Sequence, residues 1–415
     1  MLPRTLCLAV IVSWAGFVHA DDWPEFRGPT GQGHANGAKL PTEWSKTQNV
    51  AWKAPIEGLG WSSPIVVSNR IVLTTAVPDA KSGEHSLRTI CLNASDGKVH
   101  WDVEIFKQPK GSPRPHGKNS HASPTAIAAD GKLYVHFGHM GTACLDMQGK
   151  ILWKQADLKY SPVHGNGGSP ILVDDRLIFI SDGGDKQFIA ALEASTGKVL
   201  WKTPREFKAP KPFAFCTPLL IEVAGKKQVV APGANAVVAY DPVDGKEIWK
   251  VQTQGYSTVP RPVFGLGLVF ISSGYDPPST LMAIRPDGTG DVTKTHVEWQ
   301  TKKGAPLTPS PLLIGNELYV IADNGNASCL DAKTGKVHWN ERVGGAYSAS
   351  PLHVRDRIYF QSEDGKMTAI RAATKYEVVG RGDLGEKSLA SFAVADGALY
   401  ARTEKHLYRI ESSDK

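Results

Sequence analysis

Residues 310–339 read SPLLIGNELYVIADNGNASCLDAKTGKVHW, and this stretch is the unit from which the chain is built. Leu312 to Ile314, Leu318 to Ile321 and Ala327 to Leu330 are short apolar or alternating runs. Gly315-Asn316 and Asp323-Asn324-Gly325-Asn326 separate them, and Val337 to Trp339 follows the turn Lys333-Thr334-Gly335-Lys336. Runs of this length, cut by Gly, Asn and Asp, predict an antiparallel meander of four strands. Gly335 suits a turn position that needs positive φ. A Trp at a fixed offset from that turn buries its ring against a neighbouring copy. One such sheet buries too little and has two open edges; stacking copies solves both problems.

Copies run along the whole chain. A Pro at the start of the first strand recurs at Pro64, Pro124, Pro170, Pro218, Pro262, Pro311 and Pro351, with Phe392 in the eighth place. The Trp recurs at Trp101, Trp153, Trp201, Trp249, Trp299 and Trp339. In the seventh copy Ala372-Ala373-Thr374-Lys375 lacks the Gly, and Val379 is expected in the Trp slot. The eighth copy stops at Ile410-Glu411, where its outer strand should begin. That strand is found at the other end: Asn49-Val50-Ala51-Trp52-Lys53 has the outer-strand pattern. The expectation is an all-β, eight-bladed β-propeller of four-stranded antiparallel blades, the last blade closed by the N-terminal strand. Residues 44–415 would form the propeller, 21–43 an extended N-terminal arm carrying Trp23, Phe26 and Arg27, and 1–20 a leader.

The repeated turn (DGKVHW at 96–101, TGKVLW at 196–201, DGKEIW at 244–249, TGKVHW at 334–339) resembles that of the pyrroloquinoline quinone (PQQ)-like eight-bladed propellers. The resemblance covers about residues 44–411. That family includes quinoprotein alcohol dehydrogenases and a non-enzymatic outer-membrane assembly scaffold of the BamB type. The opening DDWPEFRGPTGQG is similar to the start of uncharacterised secreted members. One fold hosts many functions, so the resemblance implies architecture more than activity.

The leader has Arg4 as its basic region, an apolar core from Leu6 to Val18, and Val18-His19-Ala20 as a small-residue cleavage site. This predicts a periplasmic or secreted protein cleaved after Ala20, with no later segment apolar enough to span a bilayer. Losing Arg4 leaves 46 basic side chains against 41 acidic ones, a net charge of +5. No Lys/Arg run argues for nucleic acid or a membrane surface. Cys91, Cys144 and Cys329 share one slot in different blades, too far apart for a disulfide, and Cys216 begins a central strand. No CxxC exists, so no zinc or redox motif is present.

Residues that recur in the frame are read as structural, which leaves the blade-specific polar loops as candidates. Loops entering the first strands and loops between second and third strands should emerge on one face. The former carry His121, His164, Asn166, Tyr256 and, further in, Arg261. The latter carry Asp182, Asp185, Tyr275, Asp276, Asp323 and Glu363. Asp182, Asp323 and Asp364 are read first as turn residues. His121, His164 and His139 lack metal-ligand spacing, and no metal site is expected. Tyr256 and Arg261 at a channel mouth suit an anionic or planar ligand, or structural hydrogen bonding. No nucleophile elbow, HExxH, Walker loop or dinucleotide fingerprint occurs.

Two classes of function fit. One is a monomeric binding or scaffold module that presents the channel mouth to a protein, peptide, glycan or small ligand. The other is an oxidoreductase; here the resemblance implies PQQ held with calcium, a catalytic Asp and, in the alcohol dehydrogenases, a disulfide between adjacent cysteines. The chain has no adjacent cysteines and few insertions to cover a quinone, which favours binding, and no catalytic residue is singled out. Export is directly testable: N-terminal sequencing of the mature protein is expected to begin at Asp21, and a retained Met1 would refute it.

Overall fold

The computed structural model describes residues 22–35, 37, 39–275 and 279–412. The leader and its cleavage site lie outside them. Eight sheets follow one another along the chain, each built on four antiparallel strands, and two of them are extended by a fifth short strand that pairs parallel. Blade six has strands Leu312–Ile314, Glu317–Ile321, Asn326–Asp331 and Val337–Arg342, as its turn residues predict. The ring closes where the sequence places the closure. Val50–Pro55 pairs antiparallel with His406–Ile410 and supplies the outer strand of blade eight. Apart from one short 3-10 turn at Gly138–Met140, every regular element among the described residues is a strand.

The blades are joined by indoles. Trp52, Trp101, Trp153, Trp201, Trp299 and Trp339 each donate Nε1–H to a backbone carbonyl of the next blade, at 2.9 to 3.1 Å. The ring lies flat against that blade's turn. At Gly335 a Cβ would come within 2.7 Å of the Trp299 ring, and φ is +71°, so glycine is required on both counts. Trp249 behaves differently because blade five has no such turn. Gly290–Asp291 from its long third connection pairs beside Trp249 and Lys250, and the buried indole donates to Gln228 Oε1 of its own blade at 2.7 Å. Cys91, Cys144 and Cys329 each sit directly opposite a Trp on the neighbouring strand. All four described cysteines are free and buried, as small apolar fillers.

Two slots differ from expectation. In blade two, Ile127 pairs with Tyr134, Tyr134 with Cys144 and Cys144 with Trp153. Blade six matches this with Leu312, Tyr319, Cys329 and Trp339. The residue equivalent to Pro311 is therefore Ala126; Pro124 lies two residues earlier, in the entering loop. In blade seven, Tyr359 pairs with Ala369 and Ala369 with Gly380, so Gly380, not Val379, occupies the Trp slot. The missing ring comes from elsewhere. Trp44 of the arm stacks on Tyr359 with centroids 6.4 Å apart, as Trp339 meets Tyr319 at 6.1 Å. A Cβ on Gly380 would come within 2.1 Å of the Thr42 carbonyl, so glycine admits the arm.

The arm then explains its own composition. Trp23 bridges to Val66 of blade one, and the Pro24 carbonyl accepts from Ala128 of blade two. Gln32 accepts from Phe264 of blade five, Arg27 donates to the Pro311 carbonyl of blade six, and His34–Ala35 pairs parallel to blade seven. The segment thus crosses the ring on the side of the first hairpin turns before running up the outer edge of blade seven.

Trp44→Ala is expected to cost about 3–5 kcal/mol, the range for truncating a buried Trp, and to match Trp339→Ala. Val379→Ala should cost far less. Urea melts check this; a negligible loss at Trp44 would show that the borrowed ring is dispensable.

Candidate functional site

A cavity of about 370 Å³ runs down the propeller axis. Phe26 of the arm lies at one end, so the channel is a blind well that opens on the face of the loops entering the first strands. Its wall is made by frame residues. The residue before each Pro slot carries a hydroxyl in seven blades, and six of the backbone amides at this position donate to the next blade's hydroxyl. Ser63 donates to Thr125 Oγ1 at 3.0 Å, Thr125 to Ser169 Oγ at 2.9 Å, and Ser169 to Thr217 Oγ1 at 2.9 Å. Past the break at Arg261, the chain resumes: Arg261 donates to Ser310 Oγ at 2.9 Å, Ser310 to Ser350 Oγ at 3.0 Å, and Ser350 to Ser391 Oγ at 2.9 Å.

Arg261 sits at the floor and not at the mouth. Its side chain points under the ring, where Nε donates to the Pro218 carbonyl at 3.1 Å and Nη1 to the Phe26 carbonyl at 2.7 Å. Glu25 Oε1 lies 3.5 Å from both terminal nitrogens. Burial pushes the Glu25 carboxyl up against the opposing pull of Arg261. Arg261 is 2% exposed and sealed by the arm.

At the mouth, Tyr256 and Tyr275 are paired through their backbones and both line the well. Lys211 lies 4.3 Å from the centre of the Tyr256 ring and donates to its hydroxyl at 3.1 Å. His164 also lines the well, edge-on to His116 and Phe213. Burial, His116 and Lys211 all hold its imidazole below the usual range. Asp323 accepts from the amides of Leu307 and Thr308, at 2.8 and 3.1 Å, and from the Thr308 hydroxyl. Glu363 accepts from Ser348 at 2.6 Å. Lys118 links these two acids, 2.8 Å from Glu363 and 3.8 Å from Asp323. It comes from the long connection between blades one and two. Burial disfavours its charge, but the Glu363 and Asp323 carboxylates outweigh this and raise its pKa.

The other candidates stand apart from the well. Asp182 and Arg205 form a fully buried pair at 3.1 Å, close enough to attract but not aligned for a hydrogen bond. Burial raises the Asp182 carboxyl to about 7, with Arg205 pulling the other way. Asn166 is buried and ties the Tyr160 hydroxyl to the Phe137 carbonyl. Asp185 caps the amide of Ser161. His121 faces His85, ring centres 4.9 Å apart, off the axis. Asp276 lies outside the described residues. The sequence reasoning missed Lys118 and the hydroxyl ring. The ring had a signal, a Ser or Thr repeated before the Pro slot, but subtracting the frame removed it.

A family model described as outer membrane protein assembly factor BamB matches residues 89–306 and 279–405. The chain belongs to this family. Solved structures with the same fold include BamB from Moraxella catarrhalis, at 12% identity and TM-score 0.63, covering 88% of this chain and 98% of that one. Quinohemoprotein alcohol dehydrogenase from Comamonas testosteroni aligns at 12% identity and TM-score 0.70, covering 95% of this chain and 81% of that one. A europium-containing methanol dehydrogenase aligns at 12% identity and TM-score 0.68, covering 93% and 90%. At such identity the likeness is one of fold. No curated protein matches the chain.

A calcium-held PQQ would need free ligands among the residues of this BamB-type propeller. Asp323 and Glu363, the carboxylates at the rim, are already taken up by amides, hydroxyls and Lys118. Among the described residues no group of three or more His, Cys, Asp or Glu side chains could hold a metal. The described residues therefore do not fit the pair.

His34 of the arm meets His353 of blade seven, Nδ1 to Nδ1, at 3.0 Å. Burial, then the charges of His353 and Arg27, lower the His34 pKa from 6.5 to about 4. Asp356 and the Arg355 carbonyl favour protonation of His353, yet burial leaves it lowered too. A depressed folded pKa means that the unfolded chain takes the proton first, so this contribution is whole above about 6.5 and is lost as pH falls toward about 4. Proteolysis of the arm should accelerate across that window, and less so in His34→Asn.

Proposed function

We propose that this protein is a binding module, working in the periplasm or outside the cell, that takes the tip of a protein, peptide, glycan or small ligand into the axial well. The observation that carries this reading is the well itself. It is a blind cavity of about 370 Å³ with hydroxyls in its wall and aromatic rings at its rim. Such a mixture of apolar surface and few convergent polar groups is typical of ligand sites. Rigid repeats with varied loops on one face suit the same use. The likeness to quinohemoprotein dehydrogenases keeps a quinone-dependent oxidoreductase as the reading to be tested against it.

A peptide and glycan screen by saturation-transfer NMR is expected to return ligands of the well. Replacing Tyr256 and Tyr275 together by Ala should weaken them about tenfold or more. Lys336→Ala, on the opposite face of repeated turns, should leave them untouched. In parallel, PQQ and calcium are added and the protein is desalted. A stoichiometric bound chromophore would overturn the binding-module reading in favour of the oxidoreductase.

A further inference from the structure

We propose that the well selects a carboxylate, carried on an apolar stem and seated against the hydroxyl ring. This rests on the well being a binding site at all. The ring is one-sided in its chemistry. The oxygens of Thr125, Ser169, Thr217, Ser310, Ser350 and Ser391 each accept a backbone amide or lie in that chain of acceptors. Accepting leaves each hydroxyl proton to be donated. None of these hydroxyls donates to a protein acceptor among the described residues, and the Ser63 hydroxyl makes no hydrogen bond at all among them. A set of preorganised O–H donors around one axis is short of an acceptor. An oxyanion supplies the most and forms the strongest bonds to them.

Charge behind the wall has the same sign. Arg27, beneath the floor, donates Nη2 to the Pro311 carbonyl, while its Nε and Nη1 lack partners. Arg402, between blades eight and one, donates to Ser62 and to the Thr74 carbonyl, and its Nε lacks a partner. Neither has an acidic partner among the described residues, and Glu25 is engaged by Arg261. Burial lowers both guanidinium pKa values to about 9, so both remain charged at neutral pH. Two buried cations without counter-ions are costly, and an anion in the adjacent well offsets that cost.

The rim narrows the class. Asp323 and Glu363 offset Lys118 and the Lys211 that stands on Tyr256, so the rim has no surplus of positive charge for a multiply charged anion. Phe26 at the floor and Trp61, Phe215 and the rim tyrosines on the walls accept an apolar stem. A single carboxylate meets all three conditions. A small organic acid and the C-terminus of a peptide share this chemistry.

Calorimetry on the mature full-length protein separates them. The probes are benzoate, benzamide, glycylglycylphenylalanine and its C-terminal amide. The acids should bind saturably, at least about tenfold tighter than their amides. Benzoate alone would identify a small acid; the tripeptide acid alone or more tightly would identify a peptide terminus. Ser63→Ala removes a donor that holds no other contact. It should weaken the acids about threefold or more while leaving the melting temperature and amide binding unchanged. Amides that bind as tightly as the acids would overturn the carboxylate class yet leave the well a binding site. No binding of either acid would also overturn it, and an uncharged ligand from the screen described above would show that only the class was wrong.

Discussion

Each blade of this protein can bury its face only by handing an indole to its neighbour. The ring lies on the neighbour's turn glycine, and its N–H donates to a carbonyl beside that turn. A blade therefore carries half of a junction at each side, and a linear array would leave two halves open. Closure of blade eight by Val50–Pro55 removes that deficit, because Trp52 brings its indole to the Ala94 carbonyl of blade one. The same requirement accounts for the exceptions. Blade five lacks the turn, so Trp249 is covered by an inserted strand pair; blade seven lacks the ring, so Trp44 is brought to it.

Closure has a consequence on the axis. The N-terminal segment must travel from the side of blade one to the edge of blade eight, and its path crosses the floor. Its bonds to blades one, two, five, six and seven fix Phe26 across the channel. The ring thereby becomes a well with one mouth. Inside it, the amides of Ser63, Thr125, Ser169, Arg261, Ser310 and Ser350 are each satisfied by a hydroxyl of the next blade, which braces the wall before any ligand arrives. Preorganised donors of this kind lose little entropy when they bind.

Relatives with this fold are as different as BamB from Moraxella catarrhalis and quinohemoprotein alcohol dehydrogenase from Comamonas testosteroni. Blade number alone does not discriminate between them. Within this chain the polar groups around the axis divide by fate. Its rim acids are spent on amides, hydroxyls and Lys118, Asp182 is spent on Arg205, and Arg261 is spent on the arm. The hydroxyl protons and the charges of Arg27 and Arg402 are among the groups left over.

Sequence alone was enough for the blade, the count and the closure, because each rests on local chemistry. Strand length, a turn glycine and a Trp at a fixed offset are visible within about thirty residues, as in 310–339. It also grouped Tyr256, Tyr275 and His164 on one face, and all three line the well. Ala126 and Gly380 escaped it because connections of unequal length shift the slots by one or two residues, and only pairing reveals the shift. Tertiary structure decided the rest. Arg261 meets the arm, and Arg27 of the arm meets blade six, each across more than 200 residues of chain, and Lys118 reaches acids from two distant blades. Nothing local specifies such contacts. They exist because closing the ring brings residues far apart in sequence to a common axis, where burial forces every charge and donor to find a partner or wait for one.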